Sequence, residues 1–206
     1  MPQNIVIVDY SMGNLNSVRK KLIQLKANVA ISSDPEVILN ADKLILPGVG
    51  HFEKAVEIMH QKGLWDVLNK SVLIDKKPIL GICLGMQLMT KFSEEGNVNG
   101  FGWIDATVVR FHVQDTLKFK IPHMGWNHIE IKKESSLMKG LTDQSEFYFV
   151  HSYHVKTDDK TIVLNETNYE TNFVSAFEKE HVFGVQYHPE KSHDSGKLLL
   201  NNFLEI

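Results

Sequence analysis

The chain has 206 residues, 43% of them apolar and 23% charged, with 22 basic against 25 acidic side chains and a net charge of −3. That size and composition suit one domain over residues 1–206, with a core large enough to need no staples. No Lys/Arg block marks a nucleic-acid or anionic-membrane surface, no apolar run reaches the roughly 18 residues of a membrane helix, and a single cysteine excludes an internal disulfide. The start, Met1-Pro2-Gln3-Asn4, lacks the basic, apolar and cleavage-site succession of a signal peptide, so a cytoplasmic protein is expected.

In chain order, Ile5–Val8 is a short, continuously apolar, β-branched run, as in a strand covered on both faces. Leu15, Val18, Leu22 and Leu25 follow at helical spacing. The alternation repeats with strand Val29–Ile31, a helix near Pro35–Asn40 and strand Leu44–Leu46. Helical segments around Glu53–His60 and Leu64–Ser71 lead to strand Pro78–Ile82 and a helix over Leu84–Lys91. Alternating strands and helices imply right-handed crossovers and a parallel sheet. After Gly96 the pattern changes to short strand-like runs at Val108-Val109, Ile129–Ile131, Phe147–Val150, Thr161–Leu164 and Val182–Val185. Polar turns such as Thr157–Lys160 separate them, which predicts antiparallel additions, and a helix over Asp194–Leu204 closes the chain. The fold class is therefore α/β: a mostly parallel central sheet flanked by helices, with antiparallel additions.

Three strand-end features carry chemistry. In Gly81-Ile82-Cys83-Leu84-Gly85, glycines two before and two after the cysteine fit a tight strand-to-helix turn that lifts the side chain off the sheet. The same turn aims a helix N-terminus at the sulfur and favours thiolate. A lone intracellular cysteine is ordinarily a buried packing residue; the flanking glycines reverse that reading. A cysteine nucleophile needs a base and an orienting group. Of ten histidines, His188 stands out because Val185-Gln186-Tyr187-His188-Pro189-Glu190 follows a strand directly, as Cys83 does. Pro189 biases His188 towards an extended backbone, and Glu190 can fold back onto the imidazole. Without Cys83 this pair would read as ordinary surface polarity. Pro47-Gly48-Val49-Gly50 follows strand Leu44–Leu46, and its backbone N–H groups, with that of Leu84, can face an oxyanion; alone it would signal only a turn. His151-x-x-His154 and the pair His188, His193 are too scattered for a zinc site, so no metal is expected.

The Cys83 elbow together with His188-Pro189-Glu190 resembles the signature of class I, triad-type glutamine amidotransferases, which have a flavodoxin-like fold. Asp9-Tyr10-Ser11-Met12-Gly13-Asn14-Leu15, Pro47–Gly50, Pro122-His123-Met124-Gly125-Trp126-Asn127, Phe149–Tyr153 and His188–Ser192 resemble, within that family, the glutaminase subunits of imidazole glycerol phosphate synthases. These blocks span nearly the whole chain in family order.

The resemblance implies glutamine as substrate, no cofactor, and a triad in which Cys83 attacks the side-chain amide, His188 transfers protons and Glu190 orients His188. It assigns Val49, Gly50 and Leu84 to the oxyanion side, and Gln87, Ser152 and Tyr153 with Gly50 to the glutamine pocket. It implies a heterodimer with a (β/α)₈-barrel synthase that takes up the ammonia in histidine biosynthesis. Asn14, Met124, Trp126, Tyr148 and Lys191 then lie towards that partner. The bland reading of Gln87 is a polar helix residue, and that of Met124 is local core packing. Family members hold the Pro47–Gly50 loop unproductive until the partner binds ligand, so the lone chain is expected to hydrolyse glutamine slowly. Two positions depart from the pattern: Ser11 stands where glycine is usual, and His51 where alanine is common. A paralogous group sharing these motifs serves a surface-sugar amidotransferase. A Cys–His peptidase of related fold and a regulatory subunit with a dead site are the remaining alternatives.

Overall fold

The computed structural model describes residues 3–206. Met1 and Pro2, and with them the first residues of the expected domain, lie outside the described residues. No helix among those described is long and apolar enough to cross a membrane.

The first half follows the predicted alternation. Strand β1 (Asn4–Val8) leads to helix α1 (Leu15–Gln24), β2 (Asn28–Ser32), α2 (Pro35–Leu39) and β3 (Lys43–Gly48). Helices α3 (Phe52–Gln61) and α4 (Leu64–Asn69), the latter running into a π-helical turn at Lys70–Ile74, precede β4 (Ile79–Cys83) and α5 (Leu84–Leu88). Local chemistry sets the boundaries. The Asp34 carboxylate accepts from Glu36 N at 2.8 Å and Pro35 occupies the first turn, which starts α2.

Side-chain alternation along the strands divides the core into two layers. Val6, Val8, Leu44, Leu46 and Ile79 pack against α3, α4 and α5, where Phe52, Ala55, Val56 and Met59 form one buried stripe. Ile5, Ile7, Ile45, Leu80 and Ile82 face the other way, against Val18 and Leu22 of α1 and the closing helix α6 (His193–Glu205). A sheet sandwiched in this way requires strands that are apolar on both faces, as the short runs of the first half are.

The second half contributes β5 (Thr90–Ser93), β6 (Val98–Asn99), β7 (Ile104–Arg110), β8 (His123–His128), β9 (Glu130–Ile131), β10 (Glu146–His151), β11 (Tyr153–Lys156), β12 (Val163–Tyr169), β13 (Thr171–Lys179) and β14 (Val182–Val185). The main sheet runs β2-β1-β3-β4-β14-β13-β11-β7-β5-β6, with β12 on β13 and β9 on β12. Strands β2, β1, β3, β4 and β14 are parallel; β13 is antiparallel to β14 and to β11, and β11 to β7. Strands β8 and β10 form a separate antiparallel ribbon, Trp126 opposite Tyr148 and His123 opposite His151.

Three expectations need correction. The helix predicted over Leu84–Lys91 ends at Leu88: the Thr90 hydroxyl donates to Gln87 O at 2.8 Å, and the chain enters β5 instead. The strand expected from Thr161 starts at Val163, because Asp159 accepts from Thr161 N and turns Lys160–Ile162 into a 3₁₀ segment. The additions are not all antiparallel: the Val182–Val185 run forms β14 parallel to β4 inside the central sheet, and β7 pairs with β5 in parallel.

Candidate active site

Parallel strands β3, β4 and β14 end side by side, with Gly48 opposite Cys83 and Val185 opposite Ile82. The segments following them therefore meet at one edge of the sheet, as the reactive ends of doubly wound sheets do. Cys83 has φ 54° and ψ −110°, a left-handed conformation that costs a non-glycine residue about 1–3 kcal/mol. Packing holds it there. A Cβ on Gly81 would lie 2.7 Å from Met86 N, and one on Gly85 would lie 1.7 Å from Leu46 O. Strand and helix approach so closely at the elbow that neither glycine can carry a side chain.

His188 lies just beyond β14, and its backbone is fixed at both ends. Its N–H donates to Tyr148 O at 2.9 Å, and its carbonyl accepts from the Ser192 hydroxyl at 2.6 Å. Ser192 Oγ in turn accepts from Tyr148 N at 3.0 Å, tying the loop to the β8–β10 ribbon. His188 Nδ1 is 2.8 Å from Glu190 Oε1, and both side chains are only 2% exposed. Burial by itself would push the imidazole towards its neutral form. The negative sulfur of Cys83 and then the Glu190 carboxylate outweigh it, raising His188 to about 10. Nε2 is buried with no protein group in hydrogen-bonding geometry, and Cys83 is the charge that acts on the ring across the site. The arrangement favours an imidazolium beside the sulfur.

A cleft of about 320 Å³ opens onto Cys83, within the range of small-molecule sites. Val49, Gly50, Leu84, Gln87, Ser152 and Tyr153, all expected on the substrate side, line it. A comparable concavity beside β1, β2 and α2 contains no nucleophile–base pair. Gln87 is buried in the bend after the elbow, and its Nε2 donates to Tyr153 O at 3.0 Å and to Gln186 Oε1 at 2.9 Å. Gly50 has φ 119° and lies against Met12: a Cβ there would be 2.7 Å from the Met12 methyl. The early loop that ends in Asn14 thus touches the Pro47–Gly50 turn.

Sequence reasoning missed two side-chain contacts at the site. Glu95 comes from the turn after β5 and accepts from Phe52 N at 2.9 Å, anchoring its carboxylate on the start of α3 at the rim of the cleft. Gln186 donates to Cys83 Sγ at 3.6 Å. Its position in the motif before His188 was visible, but its contact with a sulfur 103 residues away was not.

The ribbon brings four of the five expected partner-side residues together. Met124 and Trp126 are 66% and 44% exposed on its outward face, so the core-packing alternative for Met124 does not hold. The Trp126 and Tyr148 rings lie 6.0 Å apart, and the exposed Lys191 ammonium sits 5.3 Å from the Tyr148 ring centre. Trp126 also stacks on His193 at 4.8 Å. Asn14 is exposed at the start of α1, separate from this group, and makes no side-chain capping bond. Ser11 has φ 70°, a conformation glycine takes without steric cost, in keeping with the expectation of a glycine at this position. Here Asp9 accepts from Ser11 N at 2.8 Å, and Lys62 donates to Ser11 Oγ at 2.8 Å. His51 is exposed and precedes α3 in extended conformation. His151 and His154 are engaged by other groups, His154 through Val155 O at 3.2 Å, and among the described residues no cluster of three or more His, Cys, Asp or Glu is placed to hold a metal ion.

A family model described as "Glutamine amidotransferase class-I" matches residues 6–206. The imidazole glycerol phosphate synthase subunit HisH 2 of Methanococcus maripaludis is 47% identical over 98% of this chain and 98% of its own. The subunit HisH 1 of Campylobacter jejuni is 45% identical over 98% of this chain and 100% of its own. A crystal structure of a glutamine amidotransferase from Thermotoga maritima, 15% identical, superposes with a TM-score of 0.70 over 100% of this chain and 97% of that one, a likeness of fold alone. With that fold, with a cysteine elbow facing a buried His–Glu pair, and with full-length identity well above 40% to HisH subunits, the chain belongs to the class I glutamine amidotransferase family, in its HisH branch.

Proposed function

We propose that this chain is a glutaminase that releases ammonia from glutamine through Cys83, His188 and Glu190. The observation that carries the reading is the buried His188–Glu190 pair, 2.8 Å apart, acting on a sulfur held at a strained strand-to-helix turn. The Cys83 thiolate attacks the side-chain amide carbon of glutamine, forming a C–S bond and a tetrahedral oxyanion. The Leu84 N–H, in the first turn of α5 and without an intrahelical acceptor, faces the oxyanion together with the peptide groups of Val49 and Gly50. The imidazolium of His188 gives its Nε2 proton to the departing nitrogen, the C–N bond breaks, and ammonia leaves a glutamyl thioester. His188, now neutral, takes a proton from water as water attacks the thioester. The C–S bond breaks with the sulfur leaving as thiolate beside the reprotonated His188, and glutamate departs with its new carboxyl proton lost to solvent. Glu190 holds the ring through Nδ1 in every step. Because both Nε2 hydrogens of Gln87 are engaged, its Oε1 is the atom presented to the substrate's N–H groups.

The ammonia passes to the synthase subunit of imidazole glycerol phosphate synthase, a (β/α)₈ barrel docked on Met124, Trp126, Tyr148 and Lys191, with Asn14 at the edge. Support comes from the names of the relatives and from the exposed aromatic–methionine patch beside the catalytic loop. The numbered names HisH 1 and HisH 2 favour keeping a second acceptor in view, a surface-sugar amidotransferase served by the same chemistry. Glutamine-dependent ammonia release, measured alone and with each purified acceptor enzyme, tests the reading. Stimulation by the barrel subunit plus its nucleotide substrate is expected, and Cys83→Ala should lower the stimulated rate at least about 10⁴-fold. Undiminished ammonia release from that variant would exclude the proposed nucleophile. Stimulation by the sugar enzyme alone would reassign the acceptor.

A further inference from the structure

One buried polar chain is not used by the triad chemistry. From the ribbon, Asn127 Nδ2 lies 3.4 Å from His123 Nε2, His123 Nδ1 lies 3.0 Å from His151 Nε2, and His151 Nδ1 lies 2.8 Å from Tyr153 O. Tyr153 O also accepts from Gln87 Nε2, Gln87 donates to Gln186 Oε1, and Gln186 Nε2 reaches Cys83 Sγ at 3.6 Å. His123, His151, Gln87 and Gln186 are all buried.

The direction of each bond follows from the fixed ends. A backbone carbonyl only accepts, so His151 carries its proton on Nδ1 and leaves Nε2 to accept from His123. His123 then accepts at Nε2 from Asn127, whose amide is oriented by His128 N donating to its Oδ1 at 2.9 Å and by its own Nδ2 donating to Asn168 O at 2.9 Å. Aromatic walls keep both rings neutral. Tyr169 and Phe149 stack on His123 at 4.1 and 4.9 Å, and burial lowers His123 to about 4 and His151 well below its ordinary value. The same acceptor, Tyr153 O, fixes which way the Gln87 amide points, and Gln87 fixes Gln186.

We propose that Gln186 is a positioning residue for the Cys83 sulfur, and that Asn127, His123, His151 and Gln87 set its orientation from the inward face of the ribbon whose outward face carries Met124 and Trp126. This deepens the glutaminase reading and rests on it. The ribbon can then transmit its position to the nucleophile through side chains that gain or lose no proton near neutrality.

The chain's single cysteine gives a direct readout, because alkylation by iodoacetamide reports on this sulfur alone. Full-length protein carrying Gln186→Leu should alkylate more slowly at neutral pH, with its pH profile displaced to higher pH. In the complex with the barrel subunit its kcat should fall roughly tenfold or more, as expected for one hydrogen bond to a charged group, with KM little changed. His123→Leu should displace the alkylation profile in the same direction by a smaller amount. His123→Asn, which keeps a donor at the Nδ1 position, should restore it. A Gln186→Leu profile that superimposes on the parent, or His123→Leu and His123→Asn profiles that coincide, overturns the proposal. If Gln186→Leu does not fold, the His123 pair decides alone. A parent chain that alkylates normally yet releases no ammonia from glutamine even with the barrel subunit and its nucleotide substrate, or with the sugar enzyme, would remove the glutaminase reading and leave the alkylation comparison intact.

Discussion

His188 is held between opposing forces. Burial disfavours its charge, while the Cys83 sulfur and the Glu190 carboxylate favour it strongly enough to lift the folded value to about 10 from an ordinary value of 6.5. A basic group raised on folding binds its proton more tightly in the native state. Its contribution to stability is therefore complete below about pH 6.5 and is lost as pH rises through about 10. Urea midpoints measured across that interval should decline with pH. Since Cys83 supplies the largest of the raising effects, Cys83→Ala should flatten the decline. An equal slope in both proteins would show that the sulfur is not the imidazole's counter-charge. The proposed triad could be read from the sequence because each member sits in a short local motif: glycines around Cys83, and Pro189 between His188 and Glu190. Glu95 and Gln186 were not, because a carboxylate after a short strand and an amide before a histidine acquire their roles only from α3 and from Cys83, which the fold brings to them.

At the scale of elements, β3 does more than lead into the Val49–Gly50 turn at the cleft. Lys43 at its start is 2% exposed, and its ammonium donates to Phe203 O at 3.1 Å and to Leu204 O. These carbonyls belong to the last turn of α6, where no intrahelical donor remains. A buried cation thus caps the helix that covers one face of the sheet, and the helix dipole favours it there. Lys43→Met keeps the apolar stem and removes the donor. Loss of about 1–3 kcal/mol is expected, the cost of leaving buried carbonyls unpaired. It should appear as a lower urea midpoint with an unchanged m-value, and an unmoved midpoint would mean that these carbonyls find other donors. The parallel strands could be read from sequence because burial on both faces demands unbroken apolar runs such as Ile5–Val8. Strand β13 could not: Thr171–Lys179 carries Thr, Asn and Ser, and its Ser175 is buried through hydrogen bonds to Asn165 and Thr167 that no periodicity announces. Thr90 likewise breaks an apparent helix by one side-chain bond.

For the whole molecule, the site lies behind one face of a small ribbon. Outward are Met124, Trp126 and Tyr148; inward are His123, Asn127 and His151, with the His188–Ser192 loop tied on through Ser192. A large, half-exposed indole costs a free chain apolar surface in water and repays it only when a partner covers it. Trp126 is preorganised for that role, because His193 at 4.8 Å and Tyr148 at 6.0 Å fix its ring before any partner arrives. Trp126→Ala should therefore act on assembly far more than on folding. A central aromatic anchor contributes about 2 kcal/mol or more, so Kd for the barrel subunit, measured by calorimetry, should rise roughly 30-fold. The urea midpoint of the isolated variant should stay close to the parent's, since the deleted ring lies outside both core layers. The two measurements separate the alternatives. A large fall in the midpoint with unchanged partner affinity would make Trp126 a packing residue of the ribbon and would move the docking surface elsewhere on the molecule.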